Sequence, residues 1–304
     1  MASNRVGDTA GRPPRTGWLG SLGRRSLLRL LVFFTVLLAG YIAAQLASIW
    51  VSRHAPAGEA NPMSMGATLV LAAALLGLYV ALVRSIEQRA VHELAPRAIQ
   101  GVAGIILGIA LFSSVFGLLY LIGVAHWQGI SARFDVALVV LVASIFAAVG
   151  EELAFRGALF RILEERSGTT TALLISAAVF GLLHALNPGA TVISTVAIAL
   201  EAGILLGAAY ALTRNLWFPI GLHLGWNFTE GGIFGVSVSG GPAVKGVFWV
   251  SLTGRTLLTG GKFGPEASVV AIAVCLSAAV VLLVLTVRKG HWMSGRGASL
   301  RSDA

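Results

Sequence analysis

VALVVLVASIFAAVGEELAFR, residues 136–156, decides the fold of this chain. Val136 to Gly150 carries no charge, and the run then meets Glu151, Glu152 and Arg156 without a break. An apolar stretch of this length reads as a membrane-spanning helix. Each ionised group near the middle of such a helix costs roughly 2.5–3.5 kcal/mol on insertion scales, so three cost roughly 8–10 kcal/mol. The nine large apolar residues upstream, at about −0.5 kcal/mol each, recover about half of that. The charges must therefore pair with one another or face a wet cavity, and intramembrane charges of this kind mark functional sites by default.

The rest of the chain is equally apolar. Of 304 residues 56% are hydrophobic and only 12% charged, and the mean hydropathy is +0.84. A soluble domain carries about twice that share of charge, so the fold class is an all-α polytopic membrane protein. Spanning runs occur at about 30–51, 66–83, 103–124, 136–155, 170–187, 190–212, 217–236 and 268–287. They predict a bundle of about eight transmembrane helices with an intramembrane polar cavity. The fourth is expected to continue past Arg156 as an amphipathic extension through Arg166. Residues 1–29 are polar and Arg-rich, with no small-residue cleavage site after a short apolar core, and are expected to form a disordered cytoplasmic tail. Residues 30–288 are expected to form the membrane domain, with a core motif region at about 136–236, and 289–304 a cytoplasmic C-terminal tail. The Gly-rich stretch 237–265 is expected to be an outer loop, partly re-entrant. No internal repeat is visible, which weakens an inverted-repeat transporter reading.

The formal net charge of +9 suggests nucleic-acid binding only until its placement is considered. With the N-terminus in the cytoplasm, all but five of the 22 Lys and Arg fall on the cytoplasmic side, the exceptions being Arg53, Arg133, Lys245, Arg255 and Lys262. The positive-inside rule then puts both termini in the cytoplasm, with an even number of spans. The basic residues are almost all Arg, a bias that fits a GC-rich bacterial genome. The expectation is a multi-pass protein of the bacterial cytoplasmic membrane, with lipid and polypeptide as partners and no nucleic acid. The single cysteine, Cys275, excludes an internal disulfide or a Cys-based zinc site.

Helical phase separates the three charges. Residues four apart nearly superimpose on a helix face, while successive residues sit about 100° apart. Glu152 and Arg156 therefore share a face and form an ion pair, and Glu151 points elsewhere. This suggests a structural clamp, Glu152–Arg156, and a free carboxylate, Glu151, facing a cavity. The plainer alternative is that all three only brace neighbouring helices.

Two later runs carry further polar groups. His184 lies in ISAAVFGLLHAL, with Phe180 four residues before it on the same face; alone, such a histidine is often a satisfied packing residue. His223 and Asn227 in GLHLGWN are also four apart and, taken separately, serve equally as interhelical hydrogen-bonding glue. Gly221 and Gly225 alternate with them and permit close backbone approach. Together the runs supply a carboxylate, two imidazoles and an amide on three helices. That is a kit for amide hydrolysis: a carboxylate to take a proton from water, a histidine to position that water or bind a metal, and a second His with an Asn to stabilise the oxyanion.

EELAFR, FGLLH and HLGWN resemble the EExxxR, FxxxH and HxxxN motifs of the CPBP (CAAX protease and bacteriocin-processing, Abi) family of intramembrane proteases. All three are intact, in the family's order, over roughly residues 136–236. The stretch Arg84 to Leu94 resembles a looser family feature after the second span. The first two helices and the Gly-rich outer segment carry no diagnostic match. The resemblance implies that Glu151 activates the attacking water with His184, that His223 and Asn227 stabilise the oxyanion, that Glu152 and Arg156 hold the geometry, and that Phe180 packs the site.

The family has been described both as metalloproteases and as glutamate-dependent. No HExxH is present here, yet Glu151, His184 and His223 are candidate ligands for a three-ligand catalytic zinc with an open position. The His223–Asn227 pair looks more like an oxyanion device than a ligand pair, which favours metal-independent chemistry. The leading expectation is an endopeptidase acting on a polypeptide in or near the membrane; a bacterial source argues against a prenylated substrate. The rivals are a non-catalytic immunity or scaffold protein that keeps the fold, and an ion-coupled transporter relaying through Glu151, Glu201 and Glu230. Glu201 is expected to be a packing carboxylate paired across helices, and Glu230 to lie at the cavity mouth.

Overall fold

The computed structural model describes residues 26–56 and 60–295. Most of the expected cytoplasmic tails, 1–25 at the N-terminus and 296–304 at the C-terminus, lies outside the described residues. The first helix, α1, spans Ser26–His54 and so begins four residues inside the segment assigned to the tail. Helix α2, Pro62–Leu82, starts where Asn61 accepts from the backbone N–H of Met63 at 2.9 Å, with Pro62 in the first turn. Such a cap satisfies donors that a helix start leaves unpaired. Helix α3 is Ala98–Leu121, α4 is Phe134–Glu152, and α5 is Arg161–His184. Helices α6 (Val192–Ile198) and α7 (Ile204–Thr213) form one rod, followed by α8 (Trp217–Asn227) and α9 (Val269–Arg288).

Six continuous helical segments among the described residues are long and apolar enough to cross a membrane, and the protein is a polytopic membrane protein. One of the six, Phe134–His184, is two rods. Gly168 sits at φ 81°, ψ 169°, outside helical geometry, and there the chain reverses. This removes a difficulty with the expected boundaries, under which His184 fell at a different depth from Glu151. Glu151 lies 17 residues before the reversal and His184 lies 16 after it. At 1.5 Å per residue both stand about 25 Å above Gly168. The fourth span is longer than an ordinary one because it runs on through its extension, and the hairpin brings the two motifs level.

Among the described residues, four wide π-helical turns interrupt the α-helices: Val83–Glu87, Leu153–Phe160, Ala199–Gly203 and Phe228–Ile233. Each carries an ionisable residue whose side chain is buried, respectively Glu87, Arg156, Glu201 and Glu230. A π turn leaves backbone carbonyls displaced from the regular ladder, and such turns recur at functional sites.

The helix bearing HLGWN is held by close backbone packing. A Cβ added to Gly104 or Gly108 of α3 would lie 2.2 Å from the carbonyl oxygen of Phe218 or Leu222, and one on Gly221 or Gly225 would lie 2.2 Å or 2.3 Å from that of Gly101 or Ile105. Two GxxxG faces therefore interlock, as small residues do where membrane helices approach closely.

The Gly-rich stretch 237–265 is more ordered than a loop. Strand β2, Phe248–Leu252, pairs antiparallel with β1, Ala125–Ile130, in a two-stranded sheet absent from the sequence expectation. The chain before β2 folds over the bundle, with Asn187 donating to the Ser239 carbonyl at 3.0 Å and Gly240 N–H to the Phe263 carbonyl at 2.7 Å.

The segment 84–94 joins a charged network at the end of the bundle where Arg214 turns. Arg161 pairs with Glu87 at 2.8 Å, Arg89 grips Glu93 with two nitrogens at 2.8 and 2.9 Å, and the Tyr79 hydroxyl donates to Glu93 at 2.5 Å. Burial opposes ionisation of Glu93, but the hydrogen bonds from Arg89, the charge of Arg161 and the Tyr79 hydroxyl outweigh it and hold its pKa at about 2.

Candidate active site

The clamp and the free carboxylate separate as helical phase requires. Glu152 and Arg156 are fully buried, and Arg156 donates to Glu152 Oε1 at 2.9 Å. The second guanidinium nitrogen of Arg156 donates to the Gly203 carbonyl at 3.1 Å, at the end of the π turn Ala199–Gly203. The guanidinium also lies 4.7 Å from the centre of the Phe180 ring, within cation–π range. Arg156 thus ties the α4 extension to the α6–α7 rod and to the FGLLH motif together. Phe180 packs edge-on against Phe155 at 4.8 Å and lies beside His184 at 4.5 Å.

The clamp has a third member that sequence phase did not indicate. His223 on α8 bonds through Nδ1 to the same Glu152 oxygen at 3.1 Å. With Glu152 ionised, Nδ1 carries the proton and donates, which fixes the tautomer and turns Nε2 away from the clamp.

Glu151 faces a groove of about 510 Å³ that His184, His223 and Asn227 also line. Its Oε1 accepts from the Tyr41 hydroxyl of α1 at 3.1 Å, whereas its Oε2 is buried with no hydrogen-bond partner. On the facing helix, His184 Nδ1 lies 2.8 Å from the Phe180 carbonyl. A carbonyl can only accept, so Nδ1 is the protonated nitrogen and Nε2 presents a lone pair. That Nε2 lies 4.0 Å from Glu151 Oε2, too far for a hydrogen bond. Two water hydrogen bonds of about 2.8 Å fit across it at a near-right angle.

The structure thus brings five of the six candidate residues into direct contact or facing positions: Glu151 with His184, and Glu152 with Arg156 and His223. Asn227 joins them as a lining residue of the same groove. A smaller cavity of about 30 Å³ lies behind the histidines and is lined by His184, His223, Asn227, Glu201, Ser239 and Glu266, among others.

Glu201 is buried, with the Cys275 thiol of α9 and Glu266 as its polar neighbours; Glu230 departs from expectation. Glu230 is not at a cavity mouth: it is fully buried and accepts from the Trp226 indole at 3.0 Å. Glu266 is a neighbouring carboxyl of Glu230, and each keeps one buried oxygen without a hydrogen-bond partner. Burial first, against weaker help from Ser239 and His184, pushes the Glu266 carboxyl above its usual range. Glu266 follows Pro265 outside any periodic segment, and nothing in the sequence marked it.

Among the described residues, no three His, Cys, Asp or Glu side chains are arranged to hold a metal ion. Glu151 Oε2 and His184 Nε2 stand 4.0 Å apart, further than the roughly 3.3 Å that two ligands of a tetrahedral zinc would. The residues as arranged do not fit the three-ligand zinc site.

Comparison with known proteins bears on the same segment. Residues 132–229, which contain all three motifs, match the family model described as type II CAAX prenyl endopeptidase Rce1-like. A 92-residue stretch is 33% identical to YdiL of Bacillus subtilis (strain 168), whose name describes it as a candidate membrane peptidase. The aligned stretch is 30% of this chain and spans only about a third of that relative's length, 35%. No solved structure matches. Residues 132–229, with EELAFR, FGLLH and HLGWN in place, are thus similar to the Rce1-like type II CAAX prenyl endopeptidase family.

Proposed function

We propose that this protein is an intramembrane endopeptidase in which Glu151 and His184 activate a water for attack on a peptide bond. The observation that carries the reading is the gap between Glu151 Oε2 and His184 Nε2. Both are acceptors, both are bare, and they face each other 4.0 Å apart while the other end of each group is anchored. A water between them donates one hydrogen to each. As it attacks the carbonyl carbon, its proton passes to Glu151 and the new C–O bond forms. The carbonyl oxygen becomes the oxyanion, facing the Asn227 amide and His223 Nε2. His223 donates from Nε2 only when doubly protonated, and its bond to the Glu152 carboxylate stabilises that imidazolium. Collapse breaks the C–N bond, and the proton on Glu151 passes to the leaving amine.

Glu152 and Arg156 act as the clamp that orients His223, and Phe180 closes the packing behind them. The chain's own residues carry each proton in this reaction, and a zinc held by Glu151, His184 and His223 is the alternative, which removal of metal by a chelator distinguishes. The substrate is a polypeptide reaching the groove from the membrane, and we place both termini on the cytoplasmic side of a bacterial inner membrane. The transporter reading has less support, because Glu201 and Glu230 gather about Glu266 and not about Glu151.

The deciding experiment compares peptides released from membranes carrying the wild type with those carrying Glu151→Gln or His184→Ala. Peptides cut only by the wild type are expected. Identical peptide sets, or an immunity phenotype that survives both substitutions, would establish the non-catalytic alternative.

A further inference from the structure

We propose that Tyr41 of α1 is a positioning residue for this reaction: its hydroxyl holds Glu151 by one oxygen and leaves the other bare beside His184. The inference rests on the hydrolytic reading above and adds a residue outside the family match, 110 positions from Glu151 in sequence.

A glutamate side chain has three rotatable bonds, and its carboxylate swings freely unless something holds it. Glu152 is held by Arg156 and His223. Glu151 has only the Tyr41 hydroxyl, on Oε1, at 3.1 Å. Tyr41 is itself seated. Its ring stacks on Phe146 at 5.2 Å with the planes 27° apart. Its edge rests on Gly150, where an added Cβ would lie 2.2 Å from the Tyr41 ring. The glycine immediately before the two glutamates is therefore the notch that receives the ring. A hydroxyl that donates to Oε1 directs Oε2 across the groove toward His184 Nε2, the position a reacting water needs. The same face of α1 supplies Leu38, Ile42 and Gln45 to the groove wall, so a polypeptide lying along α1 touches the helix that holds the carboxylate.

Two measurements on the full-length protein test this. The chain has four tyrosines, so protein labelled with ¹³C at the tyrosine Cζ gives four carbon resonances, and Tyr41→Phe identifies the Tyr41 signal by its loss. That signal is expected to move in Glu151→Gln, where the acceptor loses its charge, and to stay put in Glu201→Gln. A Tyr41 resonance indifferent to Glu151→Gln overturns the contact. The second measurement is cleavage of self-quenched fluorescent casein, a generic unfolded polypeptide, in detergent micelles. Tyr41→Phe is expected to lower kcat about ten-fold with KM unchanged, because only the alignment of the reacting groups is lost. Gly150→Ala, which evicts the ring, is expected to give a similar loss that does not add to the first. A raised KM with unchanged kcat makes Tyr41 a groove wall only and refutes the positioning role. If Glu151→Gln cleaves like the wild type, the hydrolytic reading fails whatever Tyr41 does. If Glu151→Gln is dead and Tyr41→Phe fully active, only the inference about Tyr41 fails.

Discussion

Gly225→Ala is the sharpest test of how the fold positions the site. Gly225 lies midway between His223 and Asn227 on α8, and a Cβ there would stand 2.3 Å from the Ile105 carbonyl oxygen of α3. Carbon and oxygen come into ordinary contact at about 3.2–3.5 Å, so α8 must retreat by about 1 Å. Backbone atoms on both sides of the contact leave no flexible side chain to yield. Overpacking of this kind destabilises by about 1–3 kcal/mol. The catalytic effect is expected to be larger. His223, two residues away and so on the opposite face of α8, faces Glu152 at 3.1 Å; a retreat of that size from α3 drives its ring against Glu152, and the bond must break or reorient. A misplacement of about 1 Å at reacting groups lowers rates by about 100-fold. The assay is casein cleavage in micelles alongside thermal unfolding, with Gly77→Ala as the control, since a Cβ at Gly77 meets nothing within 4 Å. Gly225→Ala with wild-type kcat would refute the argument that the glycine contact sets the position of His223.

Three further outcomes follow from the same geometry. Arg156→Ala leaves Glu152 buried without its cation and is expected to destabilise by about 3–5 kcal/mol, seen as loss of the monodisperse peak in size-exclusion chromatography, whereas Glu151→Ala is expected to elute like the wild type and only lose activity; equal folding defects would contradict the division into clamp and free carboxylate. Glu93 ionises at about 2 in the folded protein against 4.5 ordinarily, which is worth about 3 kcal/mol of stability; that contribution is complete above pH 4.5 and lost as pH falls toward 2, so the thermal midpoint is expected to fall between pH 5 and pH 3, and less steeply in Glu93→Gln. Protein stripped with a chelator is expected to keep its cleavage activity; loss on stripping with recovery on adding zinc would show that the ligands rearrange around a metal.

Much of this was legible before any coordinates. The pair Glu152–Arg156 follows from a four-residue spacing on one helix, and the divergence of Glu151 from the 100° step between neighbours. Both are local geometry, which survives even though the α-helix gives way to a wide π turn at Leu153. The spans at 190–212, 217–236 and 268–287 came within a few residues because long apolar runs have few alternatives in a bilayer. Other features had no local signature. Strands β1 and β2 carry Trp127, Trp249 and Val250 but lie 118 or more residues apart in pairing, and a hydrogen bond over that distance leaves no periodic trace in either segment. Glu266 joins Glu201 and Glu230 only because the Gly-rich segment folds back over the bundle. Tyr41 sits in a mostly apolar helix, and nothing there singles out its hydroxyl.

The sequence by itself determined that this is a membrane bundle, that three charged or polar motifs lie inside it, and which carboxylate is free. Those conclusions rest on hydrophobic insertion and helical phase, which act over a few turns of one chain segment. The tertiary structure alone decided the depth and the partners. The reversal at Gly168 levels Glu151 with His184, the interlocked glycines of α3 and α8 bring His223 to Glu152, and Tyr41 reaches Glu151 from α1. Each of these depends on where separate helices cross, and that is fixed by packing between surfaces that no single stretch of sequence contains.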